Sequence, residues 1–150
     1  MKVNELIQFY PSKGLGKIEF SFDEDDIIEA LGEADEIEEE SFSDSESLVS
    51  LSYYDWGLDF FVEYIDDDKI LSIHSDDMIL ADTHLASLEK DEMLKFIQKY
   101  HEENGIEFEC EKAIEEDSDE ECYFFDNIGL TIWYLNDIVT DICVQHPDDM

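Results

Sequence analysis

The stretch Gly57–Asp77, "GLDFFVEYIDDDKILSIHSDD", returns near the end of the chain as Gly129–Asp149, "GLTIWYLNDIVTDICVQHPDD". Gly57-Leu58 falls on Gly129-Leu130 at a spacing of 72 residues, and the same spacing carries His74-Ser75-Asp76-Asp77 onto His146-Pro147-Asp148-Asp149 without a gap. Upstream, "FDEDDIIEAL" (Phe22–Leu31) falls on "LEKDEMLKFI" (Leu88–Ile97) at a spacing of 66, so the second copy carries six extra residues between helix and strands. Self-similarity at a fixed period marks a repeated structural unit. The chain is therefore read as one domain, residues 1–150, made of two repeats, 14–80 and 81–150.

Each copy has a legible local structure. In the first, Asp23 stands as an N-cap with apolar Phe22 before it and Asp26 three residues later; Ile27, Ile28 and Leu31 then share a face, and Gly32 ends the helix. In the second, Leu88, Met93, Leu94, Ile97 and Tyr100 make the equivalent stripe, and "ENG" at Glu103–Gly105 stops it. "LVSLSYY" (Leu48–Tyr54), "GLDFFVEYI" (Gly57–Ile65) and "KILSIHS" (Lys69–Ser75) are rich in aromatic and branched residues and read as strands, with turns at Asp55-Trp56-Gly57 and Asp66-Asp67-Asp68. "IEFECEKAI", "ECYFFD", "GLTIWYL" and "DICVQH" fill the same role in the second copy, and "GKIEFSF" near the N-terminus offers an edge strand to the first. The expected class is α+β: tandem modules of one helix with antiparallel strands, forming one compact domain.

Composition limits what such a scaffold does. Of 150 residues, 43% are hydrophobic and 13% aromatic, enough apolar surface to offset chain entropy. Against 43 Asp and Glu stand 8 basic residues, all lysine, for a formal net charge of -35. The acid is clustered: "DEDD" (Asp23–Asp26), "EADEIEEE" (Glu33–Glu40), "DDD" (Asp66–Asp68) and "EEDSDEE" (Glu115–Glu121). One such run is ordinarily a solvated surface; four in a chain without arginine make a field that repels itself and has to be offset by a use. Nucleic acid and anionic membranes are excluded as partners, since both are recognised through Lys and Arg. The expected partner is a strongly basic protein. Adaptation to high internal salt is the duller reading.

Motifs for chemistry are sparse. Cys110, Cys122 and Cys143 are odd in number and lack C-x-x-C spacing, and "MKVNELIQFYPSKG" has no apolar core of a signal peptide, so reduced thiols in a cytoplasmic protein are expected. No apolar run approaches the roughly 20 residues of a membrane span. His74 and His146, each followed closely by a pair of Asp, are read as turn or capping residues rather than metal ligands, and His84 and His101 as isolated surface residues. "DDDKILSIHSDD" lacks the sixth-position Gly and twelfth-position Glu of a calcium-binding loop. A Cys/His nucleophile pair would have to be assembled over long sequence distances, and the carboxylates sit in runs rather than a converging pair. The expectation is a non-enzymatic protein without cofactor or metal.

A resemblance sharpens this. "GKIEFSFDEDDIIEALGEADEI" (Gly16–Ile37) resembles the strand, capped helix and "LG-x-P-D" ending of the small repeat modules of the SmpA type, with Ala34 at the usual proline position; the β-lactamase inhibitor protein is similar to a tandem of such modules. The likeness covers most of the first copy and the helix and last strands of the second, and it concerns fold. Without a lipobox, the chain also resembles the small acidic immunity proteins of bacterial contact-dependent and polymorphic toxin systems. That resemblance implies a cytoplasmic inhibitor that binds a basic toxin, a nuclease domain foremost, one-to-one over its active site or substrate groove. The alternative is a nucleic-acid mimic of phage or mobile-element origin. The residues expected to meet the partner are Trp56, with Tyr53, Tyr54, Trp133 and Tyr134 as further candidate anchors, the run Asp66, Asp67 and Asp68, and the run Glu115, Glu116, Asp117 and Asp119.

Overall fold

The computed structural model describes residues 3–114 and 119–149. Its N-terminal segment holds a short helix α1 (Val3–Leu6) and three two-residue strands, β1 (Phe9–Tyr10), β2 (Gly14–Leu15) and β3 (Ile18–Glu19), paired antiparallel in that order. Helix α2 (Glu24–Leu31) follows. Strands β4 (Glu36–Ser41), β5 (Glu46–Tyr53), β6 (Leu58–Ile65) and β7 (Asp68–Ser75) form a meander. A small hairpin, β8 (Ile79–Leu80) and β9 (Thr83–His84), leads to α3 (Lys90–Glu103). A second meander closes the chain: β10 (Glu111–Ile114), β11 (Glu120–Phe125), β12 (Leu130–Leu135) and β13 (Ile138–Gln145).

The two meanders join into one eight-stranded antiparallel sheet, in the order β10-β11-β12-β13-β7-β6-β5-β4. Their last strands meet in the middle, with His74 opposite Cys143. The class is α+β, as expected. The segment "GKIEFSF" does not extend this sheet: Ile18 and Glu19 turn back on Gly14 and Leu15, where a Cβ on Gly14 would lie 1.9 Å from the Ile18 carbonyl oxygen. The edge is taken instead by β4, inside the acidic run, and every one of its residues is exposed.

Sequence spacing and strand register agree over part of the repeat. Tyr53 pairs with Leu58 and Phe125 with Leu130, each 72 residues on, and both preceding glycines, Gly57 and Gly129, hold left-handed φ of 63° and 69°. In the returning strand the register departs from the sequence match. Asp59 faces His74, whereas Thr131 faces Cys143, 69 residues beyond His74 rather than 72. The second hairpin turns early, at Asn136-Asp137, and a bulge between Trp133 and Tyr134 restores one residue. His146 thus lies beyond the end of β13, while the His74 it matches in sequence sits within β7.

The capping chemistry read from the sequence is present. The Asp23 carboxylate accepts from the Asp26 N–H at 2.9 Å and Asp26 accepts from the Asp23 N–H at 3.2 Å, satisfying donors that the first turn leaves open. In α3, Glu92 accepts from the N–H of Glu89. Ile27 and Leu31 of α2, and Met93, Ile97 and His101 of α3, are buried in the core. With Leu6, Phe9, Leu15 and Ile18 they cover one face of the sheet, whose inward residues include Leu51, Phe60, Val62, Leu71, Ile73, Phe125, Ile132 and Tyr134. Each fully buried side chain of this size contributes about 1.5–3 kcal/mol. Three tyrosine hydroxyls tie helix ends to the sheet: Tyr53 donates to the Gly32 carbonyl at 2.8 Å, Tyr134 to the Leu88 carbonyl at 2.9 Å, and Tyr64 to the Glu24 carboxylate.

His101, expected on the surface, is fully buried. It stands four residues after Ile97 on the inward face of α3, its Nδ1–H donates to the Ile97 carbonyl at 2.7 Å, and its ring meets Phe108 edge-on at 5.2 Å. Among the described residues, its Nε2 has no hydrogen-bond partner. Among the described residues, no helix is long and apolar enough to cross a membrane.

Candidate functional site

Among the described residues, α2 and α3 pack on one face of the sheet and no α-helix covers the other, where the period-2 alternation of strands decides what is displayed. Three strands contain consecutive large residues: Phe60-Phe61, Tyr123-Phe124-Phe125 and Ile132-Trp133-Tyr134. One of each set must point away from the core. Those residues are Phe61, Phe124 and Trp133, all half-buried and outside the core cluster. His74 joins them. Its ring meets Phe61 edge-on at 5.1 Å and stacks on Trp133 at 6.0 Å, so a row of rings crosses the centre of the open face.

Carboxylates surround this row. By register the open face takes Glu36, Glu38, Glu40 and Glu46 at one margin, Asp59, Glu63 and Asp68 on β6 and β7, and Asp141, Glu120 and Glu111 in the second meander. It takes no lysine. The two lysines in strands, Lys69 and Lys112, pair with Tyr64 and Tyr123 and point to the covered side. There Lys69 donates to the Ser21 carbonyl, while Lys112 and Lys90 hold Glu121 at 3.2 and 2.8 Å and depress its carboxyl to about 2. These three lysines thus serve the helix side of the sheet.

Three groups meet at the centre. His74 Nδ1 lies 2.7 Å from Asp141, and Cys143 is its cross-strand neighbour. Burial of the ring opposes a charge, but the hydrogen bond to Asp141 and the proximity of Cys143 prevail and raise the His74 pKa to about 10. The imidazolium is a cation at the centre of this acidic face, and Asp141 matches it. The side-chain types are those of a nucleophile, base and orienter. However, Cys143 is buried in a central strand whose N–H groups belong to the ladders with β12 and β7, so no N–H pair is free to hold an oxyanion. Among the described residues, no group of three or more His, Cys, Asp or Glu is arranged to hold a metal ion.

Beside the ring row lies a concavity of about 510 Å³, floored by Phe124, Trp133, Thr131 and Cys143 and rimmed by Glu111, Asp126 and Asp149. A smaller one, of about 370 Å³, adjoins it through Glu111, Phe124 and Asp126 and adds Glu109 and Cys110. Among the described residues, no lysine forms an ion pair with Glu109, Glu111, Asp126 or Asp149. At the β4 margin Glu36, Glu38 and Glu40 stand in one row, and the bond to Glu36 together with the charges of Glu36 and Glu40 raises the Glu38 pKa.

The residues read from the sequence as partner-binding do not form one patch. Asp66 and Asp67 make the exposed turn between β6 and β7, and Asp68 opens β7. Asp119 precedes β11, at the opposite end of the strands by the antiparallel order, and Glu115, Glu116 and Asp117 lie outside the described residues. Trp56 is half-buried, stacked on Tyr53 at 5.5 Å and packed against the core. Tyr53 and Tyr134 are core residues, leaving Trp133 and the exposed Tyr54 as accessible aromatics. Of the other histidines, His84 pairs with Asp77 at 2.6 Å rather than standing alone, and His146 accepts from the Asp148 N–H, a turn role as expected.

Compared with models of known families, with curated proteins and with solved structures, the chain matches none.

Proposed function

We propose that this protein is an acidic, non-enzymatic inhibitor of the immunity-protein kind: a cytoplasmic chain that binds a basic toxin, a nuclease foremost, one-to-one and covers its active site or substrate groove. One observation carries the reading: the strands present aromatic rings and carboxylates on an uncovered face that receives none of their lysines. A nuclease must be basic to hold phosphate, so an inhibitor of opposite sign uses the same field. The tandem duplication belongs to this proposal. It is supported by equal 72-residue spacing and pairing in β5–β6 and β11–β12, by acid at the cap and third positions of both helices, and by a sheet order that mirrors one meander on the other.

The test is a panel of purified basic nuclease domains, assayed for cleavage and for association rate with this protein. One member should be inhibited at equimolar ratio, with an association rate that falls steeply from low to physiological salt. Inhibition of none, or a rate indifferent to salt, removes the proposal. The Glu36, Glu38 and Glu40 row favours a second reading. Alternate strand residues advance about 6.8 Å, giving a regular line of negative charge suited to mimicry of a nucleic-acid backbone. In that case the protein displaces a DNA-binding protein from DNA and leaves the toxin panel unaffected.

A further inference from the structure

We infer that the concavity beside Trp133 is a receptor for an arginine side chain projecting from the basic partner. The inference rests on the proposed role of the open face and goes beyond it by naming the anchor. The floor is aromatic, from Phe124 and Trp133, and the rim supplies Glu111, Asp126 and Asp149. A guanidinium is planar, weakly hydrated and forked. Its plane stacks on an aromatic face while its fork donates to several carboxylates together; an ammonium, compact and strongly hydrated, approaches a ring as Lys112 approaches Tyr123 but presents no plane to stack and no fork. His74, which also lines the concavity, is already matched by Asp141 at 2.7 Å, and among the described residues no lysine forms an ion pair with the rim carboxylates. The chain has no arginine, so no copy of it can fill the site. The occupant is therefore a different protein, and arginine is, with tryptophan and tyrosine, among the residues enriched as energetic anchors in the desolvated pockets of interfaces.

Peptides of equal charge separate this from general attraction. In a Trp56→Phe background, where Trp133 is the sole indole, hexa-arginine and hexalysine are titrated at physiological salt. Hexa-arginine should bind about tenfold tighter and change Trp133 emission. Glu111→Gln with Asp126→Asn should reduce the preference to within about twofold, while Asp25→Asn with Glu29→Gln, exposed on α2, removes equal charge and should leave it intact. Circular dichroism establishes that both variants fold. Equal affinity for the two peptides overturns the inference, as does a preference that survives Glu111→Gln/Asp126→Asn or falls equally in the α2 variant. Should wild type inhibit a basic nuclease and the Glu111/Asp126 variant do so with unchanged affinity, the pocket is refuted while the inhibitor role stands. Should wild type inhibit none, the role itself fails.

Discussion

Removing the His74 imidazole while keeping a polar side chain, as His74→Gln, tests whether the centre of the open face is held by charge. The pKa rises from 6.5 to about 10 as Asp141 and Cys143 outweigh the opposing burial of the ring, a net of about 5 kcal/mol for the whole surroundings of the ring at 1.36 kcal/mol per unit. Solvent lowers that: the side chains of His74 and Asp141 are 28% and 38% exposed, so about 1–2 kcal/mol is the expected coupling. The folded state holds the proton more tightly than the unfolded chain. The contribution is therefore complete below about pH 6.5 and drains away as pH rises through about 10. A double-mutant cycle of His74→Gln and Asp141→Asn, read by urea denaturation, isolates the pair from the titration of lysines and tyrosines. Coupling of about 1–2 kcal/mol at pH 7 should fall toward zero near pH 10.5. Equal coupling at both values would mean the contact is a neutral hydrogen bond and refute the charged centre.

Two glycines with the same backbone strain should respond differently to alanine. Gly105 (φ 66°) has open space around its would-be Cβ, so Gly105→Ala should cost about 1 kcal/mol in chemical denaturation; at Gly129 (φ 69°) the Cβ would sit 1.9 Å from the Gln145 carbonyl oxygen, and Gly129→Ala should cost about 3 kcal/mol or more or prevent folding. Asp23→Ala removes the acceptor of the Asp26 N–H and should lower stability by about 1 kcal/mol in the same assay, whereas Asp23→Asn should recover most of it. Raising sodium chloride from about 20 to 200 mM, which shortens the Debye length from about 20 Å to below 10 Å, should raise the urea midpoint by weakening self-repulsion; a falling midpoint would show that ion pairs outweigh it.

Where each element was legible follows from how much information one chain segment carries about its own environment. Helix α2 is local: Asp23, Asp26, the apolar stripe and Gly32 all lie within ten residues, and each acts as its chemistry dictates. Strands β5, β6 and β7 were legible because aromatic and branched residues bounded by turns have few other options. Strand β4 was not, since a fully exposed edge strand shows no alternation between core and solvent, and "EIEEES" reads as one more acidic run. The return of the second hairpin was misplaced because an early turn and a bulge change register without interrupting the residue pattern. His74, Asp141 and Cys143 meet only through β7–β13 pairing, some 67–69 residues apart, which no local signal announces. The off-phase aromatics Phe61, Phe124 and Trp133 did carry a signal: adjacent large residues in a strand cannot share one face.

Segregation of charge links the scaffold to the proposed role. Mixing lysines among the acids of both faces would weaken the self-repulsion of so negative a chain. Here the lysines near the sheet lie on the helix side, where Glu121 engages two of them and Lys69 reaches the carbonyl before the α2 cap. That arrangement fastens helices to sheet at the positions where covering elements must stay put. It leaves the open face with more negative potential than stability alone would favour, the Glu38 carboxyl being pushed toward protonation by its neighbours. A cationic surface laid on this face would relieve that repulsion and cover the rings of Phe61, Phe124 and Trp133 in one step. The two components act at different ranges: the field extends roughly 8–10 Å into physiological salt and governs approach, while the rings act at contact and govern release. Neutralising the β4 row should therefore slow association, and altering the Trp133 concavity should speed dissociation.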